Sequence, residues 1–324
     1  MGGISNEREV SFKSGRSVAQ GLRQAGHNVM LMDANTRSLN LLDSIQPHVA
    51  FVALHGLWGE DGGVQRILEQ KGIPYTGSGP EASLAGMDKV MTKRAFIRHG
   101  VPTADYIVVP AGQDGEETAE LALALGFPLV CKPACGGSSI GVSIVHKPEE
   151  LPDALEAAFR DAPATRTQTQ PNVLLEGYVQ GREFTVGVLG EEALPVVEVR
   201  TRRAFFDYEA KYHDEGTEYI VPAPIPEDTW RNAQEAAVDA FHALGCRHFA
   251  RVDMMSGVDG RLYVLEVNTI PGFTPRSLLP MAAKHAGIEF PHLCEQIIRM
   301  ALGMAGAEMT IRDIAQARRK RFTA

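Results

Sequence analysis

The chain of 324 residues has only four cysteines, Cys131, Cys135, Cys246 and Cys294, and none forms a Cys-X-X-Cys pair. So few and so scattered, they argue against a disulfide framework and point to buried free thiols in a reducing compartment. No apolar run approaches the ~20 residues that cross a bilayer, and no basic-apolar-small signal stands at the start. The expectation is a cytoplasmic protein without membrane insertion. Positive charge is also short: 32 Lys and Arg face 40 Asp and Glu, a net charge of −8. Bulk nucleic-acid binding needs a basic face and is disfavoured, although a local patch can still hold a nucleotide. Internal repeats are absent as well.

What is present fits a soluble globular chain of two or three compact units, with 44% hydrophobic and 22% charged residues. Strands and helices alternate, which favours α/β or α+β architecture. The apolar run 49–54 precedes a Gly-rich turn and reads as a strand buried on both faces. Asp61 caps a helix that Gly72 stops, and Thr76-Gly77-Ser78-Gly79-Pro80 marks a boundary. A second unit holds a helix over 89–99, strands near 106–109 and 128–132, and a Glu-rich helix near 115–125. Residues 162–170 read as a surface loop. A third unit beginning near Val173 holds strands at about 182–189, 194–199, 248–255 and 261–267. It adds helices near 227–244, 278–286 and 291–303. The divisions expected are therefore 1–79, 80–172, 173–305, and a solvated basic tail over 306–324.

Two stretches carry most of the chemistry. Residues 131–145 place Lys132-Pro133 before a run containing Gly136, Gly137, Ser138, Ser139 and Gly141. Glycine lets a backbone turn around phosphate and expose its N–H donors. The residues after Gly141 are β-prone, so a helix-based phosphate loop does not fit. A flap between two strands does, with Lys132 on the incoming strand, although an ordinary Gly-Ser hairpin reads similarly. In the second stretch, Arg251-Val252-Asp253 and Glu266-Val267-Asn268 each alternate polar and apolar residues around a turn at 256–260. Positions i and i+2 share a strand face, so the two pairs should meet across adjacent antiparallel strands. Two carboxylates and an amide oxygen form the hard donor set that Mg²⁺ prefers beside phosphate. Arg251 adds a fixed cation. Glu176 and Glu183 could bond adenine or ribose at strand ends; singly, each also reads as a surface carboxylate, and His55 as a loop histidine.

These residues resemble the D-alanine–D-alanine ligases of the ATP-grasp superfamily over about residues 2–303. Further matching stretches are Asn6-Glu7-Arg8-Glu9-Val10-Ser11, His55-Gly56-Leu57-Trp58-Gly59-Glu60-Asp61-Gly62, Tyr75-Thr76-Gly77-Ser78-Gly79 and Met87-Asp88-Lys89. Tyr208-Glu209-Ala210-Lys211-Tyr212 and Glu266-Val267-Asn268-Thr269-Ile270-Pro271-Gly272-Phe273-Thr274 come later, in the family's order. The resemblance implies an N-terminal open α/β sheet unit, a small central α+β unit and a C-terminal antiparallel-sheet unit, with ATP between the last two.

It also implies roles. Lys89 and Lys132 would hold ATP phosphates under the flap residues Gly137 and Ser139, with Glu176 and Glu183 on adenine and ribose. Asp253, Glu266 and Asn268 would hold two Mg²⁺ or Mn²⁺ ions, with a monovalent cation as a further candidate. Glu7 would orient the first D-alanine's ammonium, linked through Ser138 to Tyr212 on a mobile loop, 203–222, that also bears Lys211, with His55 beside that substrate. Ser277 and Leu278 would contact the second D-alanine, and Arg251 with the Gly272 N–H would face the oxyanion. A homodimer is implied too. The ATP motifs alone also suit another carboxylate–amine ligase, a depsipeptide ligase (which Tyr212 disfavours) or an inactive paralogue. Two departures stand out. Met1 directly precedes Gly2-Gly3 where the family has a strand that would anchor Glu7, and Cys135-Gly136 replaces longer polar residues in the flap, predicting a more flexible flap and an oxidisable thiol.

Overall fold

The computed structural model describes residues 1–36, 38–137, 139–163, 170–201 and 216–304. Two antiparallel sheets frame the molecule. The first holds β1 (Tyr106–Pro110), β2 (Leu129–Pro133), β3 (Ser143–Val145) and β4 (Asn172–Gly177) in the order β1-β4-β2-β3. Helices Gly115–Leu125 and Leu151–Asp161 cover one face, burying Val109, Leu129, Cys131, Val145, Val173 and Leu175. Side chains alternate along a strand, so Val130, Lys132, Leu174 and Glu176 are left for the other face. The division expected at 172 falls inside β4. That strand pairs with both β1 and β2, so residues 172–177 go with the central sheet.

The second sheet runs β10 (Leu262–Asn268), β9 (Phe249–Gly257), β5 (Gly181–Leu189), β7 (Val197–Arg200) and β8 (Glu218–Ile220), with β6 (Glu192–Ala193) paired to β5. One face buries Phe184, Val186, Val188, Ala250, Val252 and Met254 beneath helices Glu227–Ala243 and Lys89–His99. Phe96 of the latter helix is fully buried there. The alternation leaves Glu183, Thr185, Arg251 and Asp253 together on the opposite face. Further along that face the chain needs Gly187: a Cβ there would lie 2.9 Å from Leu194 Cδ1 and 3.1 Å from Leu279 Cγ. Its absence lets helix Leu278–His285 seat on the sheet, and helix Phe290–Ala301 completes that core.

In the first unit, helices Arg8–Gln24, Leu41–Ile45 and Gly63–Gln70 form. Residues 52–54 are buried and 49–51 half-buried, and the only ladder contact there among the described residues is one parallel bridge, Ala50 to Tyr75. The Val52 N–H donates to the Thr76 hydroxyl instead of a carbonyl, which interrupts the ladder. The expected open sheet is therefore reduced to this bridge. The Gly2-Gly3 turn is held from both sides: Ala34 N–H donates to Met1 O at 3.0 Å, and Arg8 Nη1 reaches Gly3 O at 2.7 Å and Asp33 Oδ1 at 2.8 Å. No helix among the described residues is long and apolar enough to cross a membrane.

Candidate active site

The β9–β10 ladder sets the acidic half of the site. Glu266 pairs with Asp253 and Asn268 with Arg251, as the spacing predicts. The register shifts between Val264 and Glu266, making Leu265 a bulge. Bulges re-aim the side chains beyond them. Here Val264 and Val267 both enter the core, while Glu266 turns to the cleft and so does Leu265. Arg251 donates to Asp253 Oδ1 and Oδ2 at 2.8 and 2.7 Å, a bidentate fork. Thr185 Oγ1 donates to Oδ1 at 2.6 Å, a holder of Asp253 that the sequence reading missed. Asn268 Oδ1 accepts the Ile270 N–H at 3.0 Å and keeps a second lone pair. Among the described residues no cluster of three His, Cys, Asp or Glu side chains forms a metal cage. Two carboxylates and an amide oxygen instead fit a hard cation that takes its remaining oxygens from a phosphate ligand.

The basic half lies opposite. β2 and β3 pair antiparallel, so the described residues 134–137 and 139–142 lie between two strands, where the flap is expected. Gly136 sits at φ +115°, where a side chain is strained, and its carbonyl accepts from Lys89 Nζ at 2.9 Å. Lys89 Nζ is also 3.4 Å from Glu266 Oε2, tying the flap to the acidic half. Lys89 opens a helix capped by Asp88, whose carboxylate accepts from Val90 N and Met91 N.

Lys132 pairs with Glu176 Oε2, and Lys93 takes Oε1. Glu176 is 2% exposed. Burial pushes its carboxyl up, but Lys132 and Lys93 outweigh that and hold it below its ordinary value. Its carboxylate is thus held by two lysines, and it lines the cleft together with Gly177, Tyr178 and Val179. Lys93 was missed in sequence. Its position four residues after Lys89, on the same helix face, was the available signal.

The two halves enclose a cavity of about 180 Å³ between the sheets. It gathers Lys89, Lys132, Gly137, Ser139, Glu176, Glu183, Asp253 and Glu266, with Val130, Ile144, Met255 and Leu265 as apolar walls. Cys135 also lines it, but burial pushes that thiol up to about 12. A thiol raised in this way is kept as SH, which works against the oxidation expected of it in the flap.

A second cluster joins the first unit to the loop after β10. His55 is buried: its Nδ1 lies 3.0 Å from Ile270 O and 3.4 Å from Glu60 Oε1, and its Nε2 lies 2.9 Å from Ser14 Oγ. Burial raises the Glu60 carboxyl, His55 offsets part of this, and Glu7 raises it further. Glu7 Oε2 lies 2.8 Å from where a Cβ on Gly56 would stand, so Glu7, Gly56 and Glu60 share one place. Ser277 Oγ accepts from Thr274 N at 3.0 Å and sits 3.4 Å from the Cβ position of Gly272. Leu278 packs in the core with Phe273 and Leu279, because it opens a helix whose apolar face meets the sheet. Ser138, Lys211 and Tyr212 lie outside the described residues, as do 203–215 of the expected loop and all of the expected tail, 306–324.

The comparisons with known proteins agree with this geometry. Residues 96–299 match the family model described as D-ala D-ala ligase C-terminus. The D-alanine--D-alanine ligase of Syntrophotalea carbinolica is 45% identical over 298 residues, covering 92% of this chain and 93% of that protein. That of Anaeromyxobacter dehalogenans is 45% identical over 297 residues, covering 92% and 94%. Among solved structures, the Bacillus anthracis D-alanine--D-alanine ligase complexed with ATP superposes with a TM-score of 0.80 at 34% identity, covering 94% of this chain and 96% of that one. The VanG D-Ala:D-Ser ligase of Enterococcus faecalis also reaches 0.80, at 28% identity, covering 93% and 97%.

Proposed function

The chain belongs to the D-alanine–D-alanine ligase family, and from that premise we propose how its residues join two D-alanine molecules at the expense of ATP. A carboxylate is a poor electrophile because its oxide is a poor leaving group. In the first step a carboxylate oxygen of one D-alanine bonds to the γ-phosphorus of ATP, the bond to the β-phosphate oxygen breaks, and ADP leaves. In the second, the neutral amine of the other D-alanine attacks the acyl carbon, the C–O bond to inorganic phosphate breaks, and the nitrogen gives up one proton, which the departing phosphate can take. Phosphoryl transfer rests mainly on positioning and charge stabilisation.

In this reading Lys89 and Lys132 take the phosphates under the flap, with Gly137 and Ser139 above them. Glu183 takes the ribose, and the backbone of 177–179 meets the base. Asp253, Glu266 and Asn268 would hold Mg²⁺ or Mn²⁺, which supplies charge neutralisation on the triphosphate. Glu7 orients the first ammonium, Arg251 and the Gly272 N–H face the oxyanion, and Ser277 meets the second substrate. Ser138, Lys211 and Tyr212 would close over the acyl phosphate and exclude water.

The observation that carries the proposal is the meeting of Lys89 and Lys132 with Asp253 and Glu266 in one cleft between the two sheets. The test is phosphate release from Mg-ATP with D-alanine, L-alanine, D-serine, D-lactate or no acceptor, alongside mass spectrometry. Release and a dipeptide mass should appear with D-alanine. Equal turnover with L-alanine, or release without any acceptor, would overturn the reading. We further infer a cytoplasmic homodimer. Met30 and Leu31, exposed on the first unit, support pairing through it, and light scattering tests this.

A further inference from the structure

We propose that Lys93, which does not line the cleft, is a positioning residue that takes up half of Glu176 and so leaves Lys132 with a net positive charge to present to the nucleotide. This rests on the ATP reading above. Lys132 and Glu176 by themselves would sum to zero: a carboxylate beside the lysine competes with phosphate for the same ammonium. Lys93 changes that balance. Its Nζ holds Glu176 Oε1, while Lys132 holds Oε2, so the cluster carries two cations against one anion and only one of the cations lines the cleft.

Lys93 is 0% exposed, and an ammonium there is costly unless its donors are satisfied. They are: Thr103 Oγ1 accepts at 2.6 Å and Ala104 O at 3.4 Å, beside the carboxylate. Three donors meet three acceptors. The arrangement extends to the metal side as well. Thr103 Oγ1 donates to Val264 O at 2.7 Å, immediately before the bulge that turns Leu265 and Glu266 into the cleft. A merely space-filling role for Lys93 would need no charge, and a leucine or methionine side chain would fill the space without the ammonium's own desolvation cost. The placement of the cation against the far oxygen of Glu176 gives it an electrostatic task.

Mg-ADP is titrated calorimetrically into the full chain, the Lys93→Met variant and the Lys93→Met/Glu176→Gln double variant, and KM for D-alanine is measured for each. Removing one unit charge at this range should weaken ADP binding about tenfold in Lys93→Met. The double variant restores the sum of one positive charge, so ADP affinity should return to within about threefold of the starting protein, with KM for D-alanine moving less than about twofold in both. ADP binding unchanged in Lys93→Met, or a double variant as weak as the single or weaker, overturns the proposal. If Lys93→Met does not fold, the charge-balanced double variant decides: affinity within about threefold supports the proposal, and a tenfold loss overturns it. Failure of the unaltered chain to bind ADP would instead refute the nucleotide reading itself.

Discussion

Ser14 Oγ lies 2.9 Å from His55 Nε2 and accepts the Phe273 N–H at 3.1 Å. His55 Nδ1 faces Ile270 O, a pure acceptor, so that nitrogen carries the proton and Nε2 accepts from Ser14. One run of hydrogen bonds thus pins both flanks of the loop bearing Gly272 to the first unit. Ser14→Ala would leave the Phe273 N–H and His55 Nε2 buried without these partners, at a cost of about 1–3 kcal/mol. The urea midpoint should fall accordingly and kcat should drop. An unchanged midpoint would show that water replaces the hydroxyl.

Glu266→Ala should abolish dipeptide formation while far-UV circular dichroism and the melting cooperativity stay intact, since the side chain faces the cleft and its neighbours Val264 and Val267 hold the core. Turnover at the starting rate would remove Glu266 from the metal set.

Gly136→Ala forces a side chain into φ +115°. The backbone strain should cost about 1–2 kcal/mol, or the flap should rearrange and release its hold on Lys89. KM for ATP should rise several-fold with KM for D-alanine little changed; no change in either would mean the flap carbonyl does not place Lys89.

Acid should unfold the protein through two buried carboxylates. Glu198 is pushed up by burial, but hydrogen bonds from Arg182 at 2.8 Å and Arg200 at 2.9 Å bring it below its ordinary 4.5. Glu176 is also lowered. A folded pKa below the unfolded one contributes stability that is present above about pH 4.5 and is lost as pH falls through the folded value. Urea midpoints should be level near pH 6–7 and drop below about pH 4.5. Glu198→Gln should start lower and fall less steeply.

The thiols of Cys131, Cys135 and Cys294 are each pushed up to about 12 by burial. Ellman's reagent at pH 7.5 should leave all three unmodified in the folded protein and reach them in urea. Rapid modification of Cys135 in the native state would show that the flap opens.

Helices Lys89–His99 and Gly115–Leu125 are readable from pattern and punctuation because capping and periodicity are local. The pairing of Asp253 with Glu266 is readable too, since a short hairpin constrains which faces meet. The ladder missing from residues 49–54 is not, because it turns on Thr76, 24 residues away, supplying a hydroxyl in place of a carbonyl. Nor is the assignment of residues 172–177 to the central sheet, since hydrogen-bond partners of a strand are chosen between distant segments.

The amino-acid order alone determined the two groups of side chains, basic and acidic, that share a strand face or flank the flap, because strand alternation and glycine content act over a few residues. Only the tertiary structure decided which charges neighbour which: that Glu176 is shared by Lys93 and Lys132, that Leu265 lines the cleft, that His55 braces the loop carrying Gly272. Coulomb attraction and burial depend on distance through space, and residues 83 positions apart, as Lys93 and Glu176 are, acquire that distance only when the chain has folded.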